Sequence, residues 1–161
     1  MTAGSTYTPI STTTLGVDTP SYTFSSISGS YTDLILILNG ASTAASNIQL
    51  QFNSDTATNY SYNLIYGTGS IAGAGRTSTS FAVAGYMPSG TISTTIINFQ
   101  NYSNSTTFKT LLSRENTANA EVGAYVNLWR STSAINSIKV YPSGGNLAAG
   151  MTLTLYGILS A

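Results

Sequence analysis

The chain contains no cysteine and no histidine. Without cysteine there is no disulfide framework and no thiolate metal site, and the redox compartment stays open. Without histidine there is no imidazole metal site and no histidine-dependent nucleophilic catalysis. Charge is scarce as well: five basic and five acidic residues make up 6% of 161 residues and give a formal net charge of zero. Soluble domains typically carry about 25% charged residues, so solubility here rests on hydroxyls and amides. The cations Arg76, Lys109, Arg114, Arg130 and Lys139 are scattered along the chain. A phosphate backbone needs several neutralising contacts together, so no nucleic-acid partner is expected.

Long apolar runs are also missing. The longest, Leu34 to Leu38, is far short of the ~20 residues a membrane-crossing helix needs, and no membrane partner is expected. The opening "MTAGSTYTPIS" has neither a basic nor an apolar region, so no secretory signal is expected. No window sustains the i, i+3, i+4, i+7 apolar spacing of a helix.

What the chain does hold is 42% hydrophobic residues in a background of Ser, Thr, Asn, Gly and 11 Tyr. Short strand-like phrases end in turn chemistry: "SYTFSSI" at "SGS", "DLILILNG" at Asn39-Gly40, "NIQLQFN" at "SDTATN". Later phrases, from "YSYNLIYG" to "MTLTLYGIL", continue the pattern without an internal repeat. Many short strands at this spacing predict an all-β, antiparallel β-sandwich, jelly-roll-like, with one core. Residues 1–20, with two prolines and few large apolar side chains, read as an extended N-terminal arm or an edge strand, and residues 21–161 as the sandwich domain.

Alternation assigns faces. Ile48, Leu50 and Phe52 point inward from "NIQLQFN", and Met151, Leu153 and Leu155 from "MTLTLYGI", leaving Tyr156 outside. In "EVGAYVNLWR" the aliphatic Val122, Ala124, Val126 and Leu128 are assigned inward, with Tyr125, Asn127 and Trp129 outward. "YTDLILILNG" is apolar on both faces, which predicts cover on both.

Candidate chemistry is sparse. Gly67, Gly69, Gly73 and Gly75 loosely form a phosphate-cradling loop, but no helix pattern follows, and a loop between strands is preferred. Glu115 and Glu121 are the one carboxylate pair of glycosidase type, and both are expected on a solvated turn. Asp55 stands alone in its loop, too few oxygens for a good calcium site. Lys109 or Lys139 with one of many serines gives an uninformative Ser–Lys pairing. The sequons at Asn59, Asn101 and Asn104 are expected by chance in such a composition. No catalytic, metal-binding or cofactor-binding residue is therefore assigned. The outward rings Tyr125, Trp129 and Tyr156, with Arg130, and the arm residues Tyr7, Pro9 and Ile10 are the interface candidates. Cover by a second sheet and a sugar-stacking role remain open alternatives for the rings.

In order along the chain, "STYTPISTTTLG", "YTFSSISGSYTDLILILNG", "NYSNSTTFKTLLSR", "LWRSTSAINSIKV" and "AAGMTLTLYGI" resemble small β-rich virion proteins of aquatic tailed bacteriophages, cyanophages especially. The likeness runs from about Tyr7 to Ile158. It implies a non-enzymatic structural protein on the outer surface of the particle, with no catalytic residues to carry over. The expected function is head decoration: a cement protein binding neighbouring copies of itself, as dimer or trimer, and the major capsid protein, with the arm laid across a neighbour. The alternative is a tail-fibre or receptor-binding module for a host surface glycan.

Overall fold

The computed structural model describes residues 6–117 and 121–159, which form an all-β, antiparallel, jelly-roll-like sandwich with no helix among them. Its strands are β1 (Tyr7–Thr14), β2 (Tyr22–Phe24), β3 (Asp33–Gly40), β4 (Ser46–Phe52), β5 (Tyr60–Gly67) and β6 (Ala72–Thr79). The second half adds β7 (Ala82–Met87), β8 (Ser93–Gln100), β9 (Lys109–Thr117), β10 (Val122–Trp129), β11 (Ile138–Pro142) and β12 (Thr152–Ile158). One sheet has eight strands in the order β1-β12-β3-β8-β9-β10-β5-β6; the other has four, β2-β11-β4-β7.

The core lies between the sheets. Leu34, Leu36 and Leu38 of β3 are fully buried beside Leu153 and Leu155 of β12, and Ile48, Leu50 and Phe52 of β4 meet them from the four-stranded sheet. An aromatic cluster fills one end: Phe52 contacts Phe99 at 5.8 Å and Trp129 at 5.4 Å, both edge-on, and Tyr60 stacks on Trp129 at 6.2 Å. Such rings bury the most apolar area per residue and hold specific geometry.

Two expectations change here. Of the two readings of the first 20 residues, residues 7–14 follow the edge strand: they border the large sheet, paired along β12 from Tyr7↔Ile158 to Thr14↔Thr152. Ile10 packs on the core and Leu15 lies in it, so the boundary expected after Pro20 divides nothing in the fold; residues 1–5 lie outside the described range. The hydroxyl-rich β1 belongs on an edge because Thr favours strands and one side of an edge strand needs no ladder partner. Strand β3 is covered on one face only, since Ile35 and Ile37 are half-buried by flanking strands with no layer above them among the described residues.

The phase of β10 is also reversed. Tyr125, Asn127 and Trp129 face the core, while Val122 and Val126 stand 60% and 52% exposed. Aliphatic spacing alone does not reveal the inner face where the far end of the sandwich is filled by rings and an amide.

Candidate functional site

The inward polar side chains prove to be structural. Strand β7 ends the four-stranded sheet, so its outer backbone groups have no ladder partner there. Asn127 reaches across from β10, its Oδ1 accepting from the Val83 N–H at 2.8 Å and its Nδ2 donating to the Val83 carbonyl at 2.9 Å. Glu115 of β9 holds the same strand three residues on, its Oε2 accepting from the Tyr86 N–H at 3.1 Å. The two side chains bind the small sheet to the large one.

Glu115 is only 4% exposed, and the approach needs glycine on both sides. A Cβ at Gly123 would stand 2.6 Å from Glu115 Oε1, and one at Gly85 2.9 Å from Glu115 Cβ. Burial first, then the charge of Glu121, push the Glu115 carboxyl up to about 8. Glu115 is thus a buried acid, one oxygen held by the Tyr86 N–H and the other, Oε1, without a hydrogen-bond partner among the described residues, not a solvated carboxylate on a turn.

The other sequence candidates are likewise absorbed. Asp55 accepts from Ala57 N at 2.9 Å, Asn59 Nδ2 at 3.0 Å and the Trp129 indole at 2.7 Å. Despite partial desolvation, these bonds hold its carboxyl below the usual range. Lys109 is buried, with Nζ donating to the carbonyls of Thr107 and Thr132 at 2.7 and 3.2 Å; desolvation lowers its ammonium from the ordinary value. Lys139 lies 5.1 Å from the centre of the Tyr141 ring. The glycine-rich stretch is a hairpin: Gly67 pairs with Ala72, and Gly73 and Gly75 belong to β6.

What remains is the outer face of the eight-stranded sheet. Register places Ile65, Ala124, Arg114, Ile96 and Ile37 in one row across β5, β10, β9, β8 and β3. The next row holds Arg76, Asn63, Val126, Leu112, Asn98 and Ile35. Ile65 is 65% and Leu112 45% exposed. At the hairpin end, Ile65, Ala72, Ala74, Val122 and Ala124 line a shallow apolar depression of about 730 Å³. Isolated apolar side chains on a surface are ordinary, but contiguous apolar rows mark interaction sites.

Of the interface candidates, the structure brings some together and removes others. Tyr125 and Trp129 are withdrawn: both are buried between the sheets. Ile10 is partly buried against the core. Tyr7 and Tyr156 meet edge-on at 6.4 Å on the outer side of the β1–β12 edge, opposite Pro9 in register. Arg130 is exposed at the other end of the same face, its Nη2 donating to Ser61 Oγ at 2.9 Å. The residues missed are Ile65, Leu112, Val122 and Val126. For Val122 and Val126 the signal was present in β10, which carries aliphatic side chains in one phase and rings in the other.

No family model matches the chain, and no curated protein matches it in sequence. Among solved structures, it is similar to an exo-inulinase from Aspergillus awamori, with a TM-score of 0.50 and 11% identity over 94% of this chain. The match spans 29% of the inulinase. A galectin from Caenorhabditis elegans is matched over 92% of this chain and 96% of its own, with a TM-score of 0.38 and 8% identity. The inulinase likeness concerns the sandwich fold alone.

Proposed function

We propose that the chain is a non-enzymatic structural protein of a bacteriophage virion, a head decoration protein that attaches to other virion proteins through the outer face of its large sheet. The observation that carries the attachment is that face, with Ile65, Leu112, Val122 and Val126 exposed together over β5, β9 and β10 and no covering layer among the described residues. The virion setting rests on the ordered phrases from Tyr7 to Ile158. A non-catalytic role is supported by the fate of the ionisable groups, since Asp55, Lys109 and Glu115 are each tied into the fold.

In mechanism the body is a rigid plate. Eight strands about 4.8 Å apart, each about seven residues long, offer roughly 800 Å² of face, close to one partner's share of a standard interface. Many such modest contacts repeated over a shell stabilise it collectively. The test compares particles with and without the protein. Head decoration predicts labelled protein over the capsid in low-resolution images, at a copy number matching the capsid lattice, and faster heat disruption when it is missing. Label confined to the tail, at a copy number matching tail symmetry, replaces this reading with the receptor-binding one.

A further inference from the structure

A net charge of zero conceals a segregated distribution. All three arginines project from the outer face of the large sheet: Arg76 on β6, Arg114 on β9 and Arg130 just past β10. Both lysines are elsewhere, Lys109 buried and Lys139 on the small sheet. Among the described residues no carboxylate pairs with any of the three; Arg130 is held by a serine hydroxyl. The acidic groups face other ways. Glu115 is buried next to Glu121, Asp55 is bound to Trp129, and Asp18 accepts from Ala149 N–H at 2.9 Å. Asp33 is the one carboxylate in the outer-face rows, at the start of β3, and it accepts from Asn101 N–H at 2.7 Å.

Arg114 stands within the apolar patch, between Ala124 and Ile96, and Arg76 and Arg130 stand at one end of it. In register Arg76 is opposite Asn63, which pairs with Val126, and Val126 pairs with Leu112, two residues from Arg114 on β9. Arg130 lies four residues beyond Val126 on the same face. Beside Arg76 and Arg130, Ser61, Asn63 and Ser78 help line a depression of about 370 Å³ with no acidic residue in its wall. Apolar side chains with Arg114 among them, and Arg76 and Arg130 at one end, none of the three paired to a carboxylate among the described residues, together form a docking surface of one sign.

We infer that this face docks on an acidic protein surface whose carboxylates are interspersed with an apolar contact, and not on a second copy of the chain. The inference rests on the proposed attachment role and names the chemistry of the partner. Guanidinium groups bind carboxylates in bidentate geometry, which gives register as well as attraction. Facing two copies together would oppose three cations to three cations with one carboxylate each in return, and like-charge juxtaposition costs several kcal/mol. Self-pairing through this face is therefore selected against by the same residues that favour a hetero-partner.

The probe is the phage particle assembled without this protein. Wild-type chain should bind it, and the binding should weaken at least about tenfold between about 50 mM and about 500 mM salt, as attraction between exposed charges is screened. Arg114→Glu and Arg76→Glu should each weaken binding about tenfold or more, and Val126→Asp should weaken it comparably, all with unchanged melting temperature because the positions are exposed. Free chain should sediment as a species that Val126→Asp does not alter. Particle binding indifferent to salt and to both arginine reversals overturns the inference and leaves the attachment role standing. So does a solution oligomer that Val126→Asp dissociates. Dextran sulfate bound as tightly as the particle, and indifferent to Val126→Asp, also overturns it, because the face is then a plain polyanion site. Failure of wild-type chain to bind the particle at any salt instead removes the attachment role itself.

Discussion

Replacing Glu115 by Gln should abolish most of the dependence of stability on pH above the acid range. The carboxyl is 4% exposed, accepts one bond from Tyr86 N–H, and faces Glu121 and the buried Tyr125 from β10. Unfolded, it titrates near its ordinary 4.5; folded, near about 8. Between those values the native state keeps a proton that the unfolded chain has released, so stability falls as pH rises. The contribution is complete below the unfolded value and lost as pH passes the folded one. A rise from 4.5 to about 8, at about 1.36 kcal/mol for each pH unit, sets a ceiling of about 5 kcal/mol. For a chain of this size 1 kcal/mol moves the melting temperature by roughly 2–4 °C, so wild type should lose about 10 °C or more between about pH 5 and pH 9. Gln keeps the acceptor for Tyr86 and cannot ionise, so the variant's profile should be nearly flat and higher than wild type at alkaline pH. Thermal unfolding followed by circular dichroism at unit pH steps measures both. A flat wild-type profile, or a Gln variant with the wild-type slope, refutes the raised Glu115 carboxyl.

Other perturbations test the remaining packing. Trp129→Ala removes the ring shared by Phe52 and Tyr60 and leaves Asp55 without its indole donor, and should cost about 3–5 kcal/mol in denaturant unfolding. Because bonds to Asn59, Trp129 and the Ala57 N–H hold Asp55 below its usual range, its stabilisation should disappear as pH falls below about the ordinary carboxylate value, and Asp55→Asn should remove that acid limb. Gly157→Ala places a methyl inside the Tyr31 ring and should destabilise by about 1–3 kcal/mol, whereas alanine at Gly16, where a Cβ meets nothing, should be close to neutral. Lys109→Met should destabilise by about 1–3 kcal/mol by orphaning the Thr107 and Thr132 carbonyls, with Lys109→Arg failing to rescue it in so closed a site.

The fold class was legible because alternation in "NIQLQFN" and "MTLTLYGI" is clean, and the structure buries the faces assigned to those strands. "EVGAYVNLWR" was misassigned because both phases are apolar and period-two spacing has no sign of its own. The functional face was hidden for the same reason: Val122 and Val126 looked like core, and Trp129 looked like surface. Glu115 was misplaced as solvated because it follows six residues of alternating strand whose inward members include Lys109 and Ser113, a face that reads as exposed from sequence. Its burial comes from β7, 28 residues or more earlier in the chain, whose backbone needs the acceptor.

By itself, then, the sequence determined strand chemistry: no cysteine or histidine sites, no helical period, a surface nearly without charge, and many short alternating segments bounded by turns. Those are local properties, set by each residue's own conformational preference and its neighbours two positions away. Only tertiary structure decided which face of β10 is inside, why Glu115 keeps a proton, and that three arginines distant in sequence share one apolar face. Each of those depends on which strand lies across the sandwich or beside its edge, and pairing between segments far apart in the chain is carried by no local pattern.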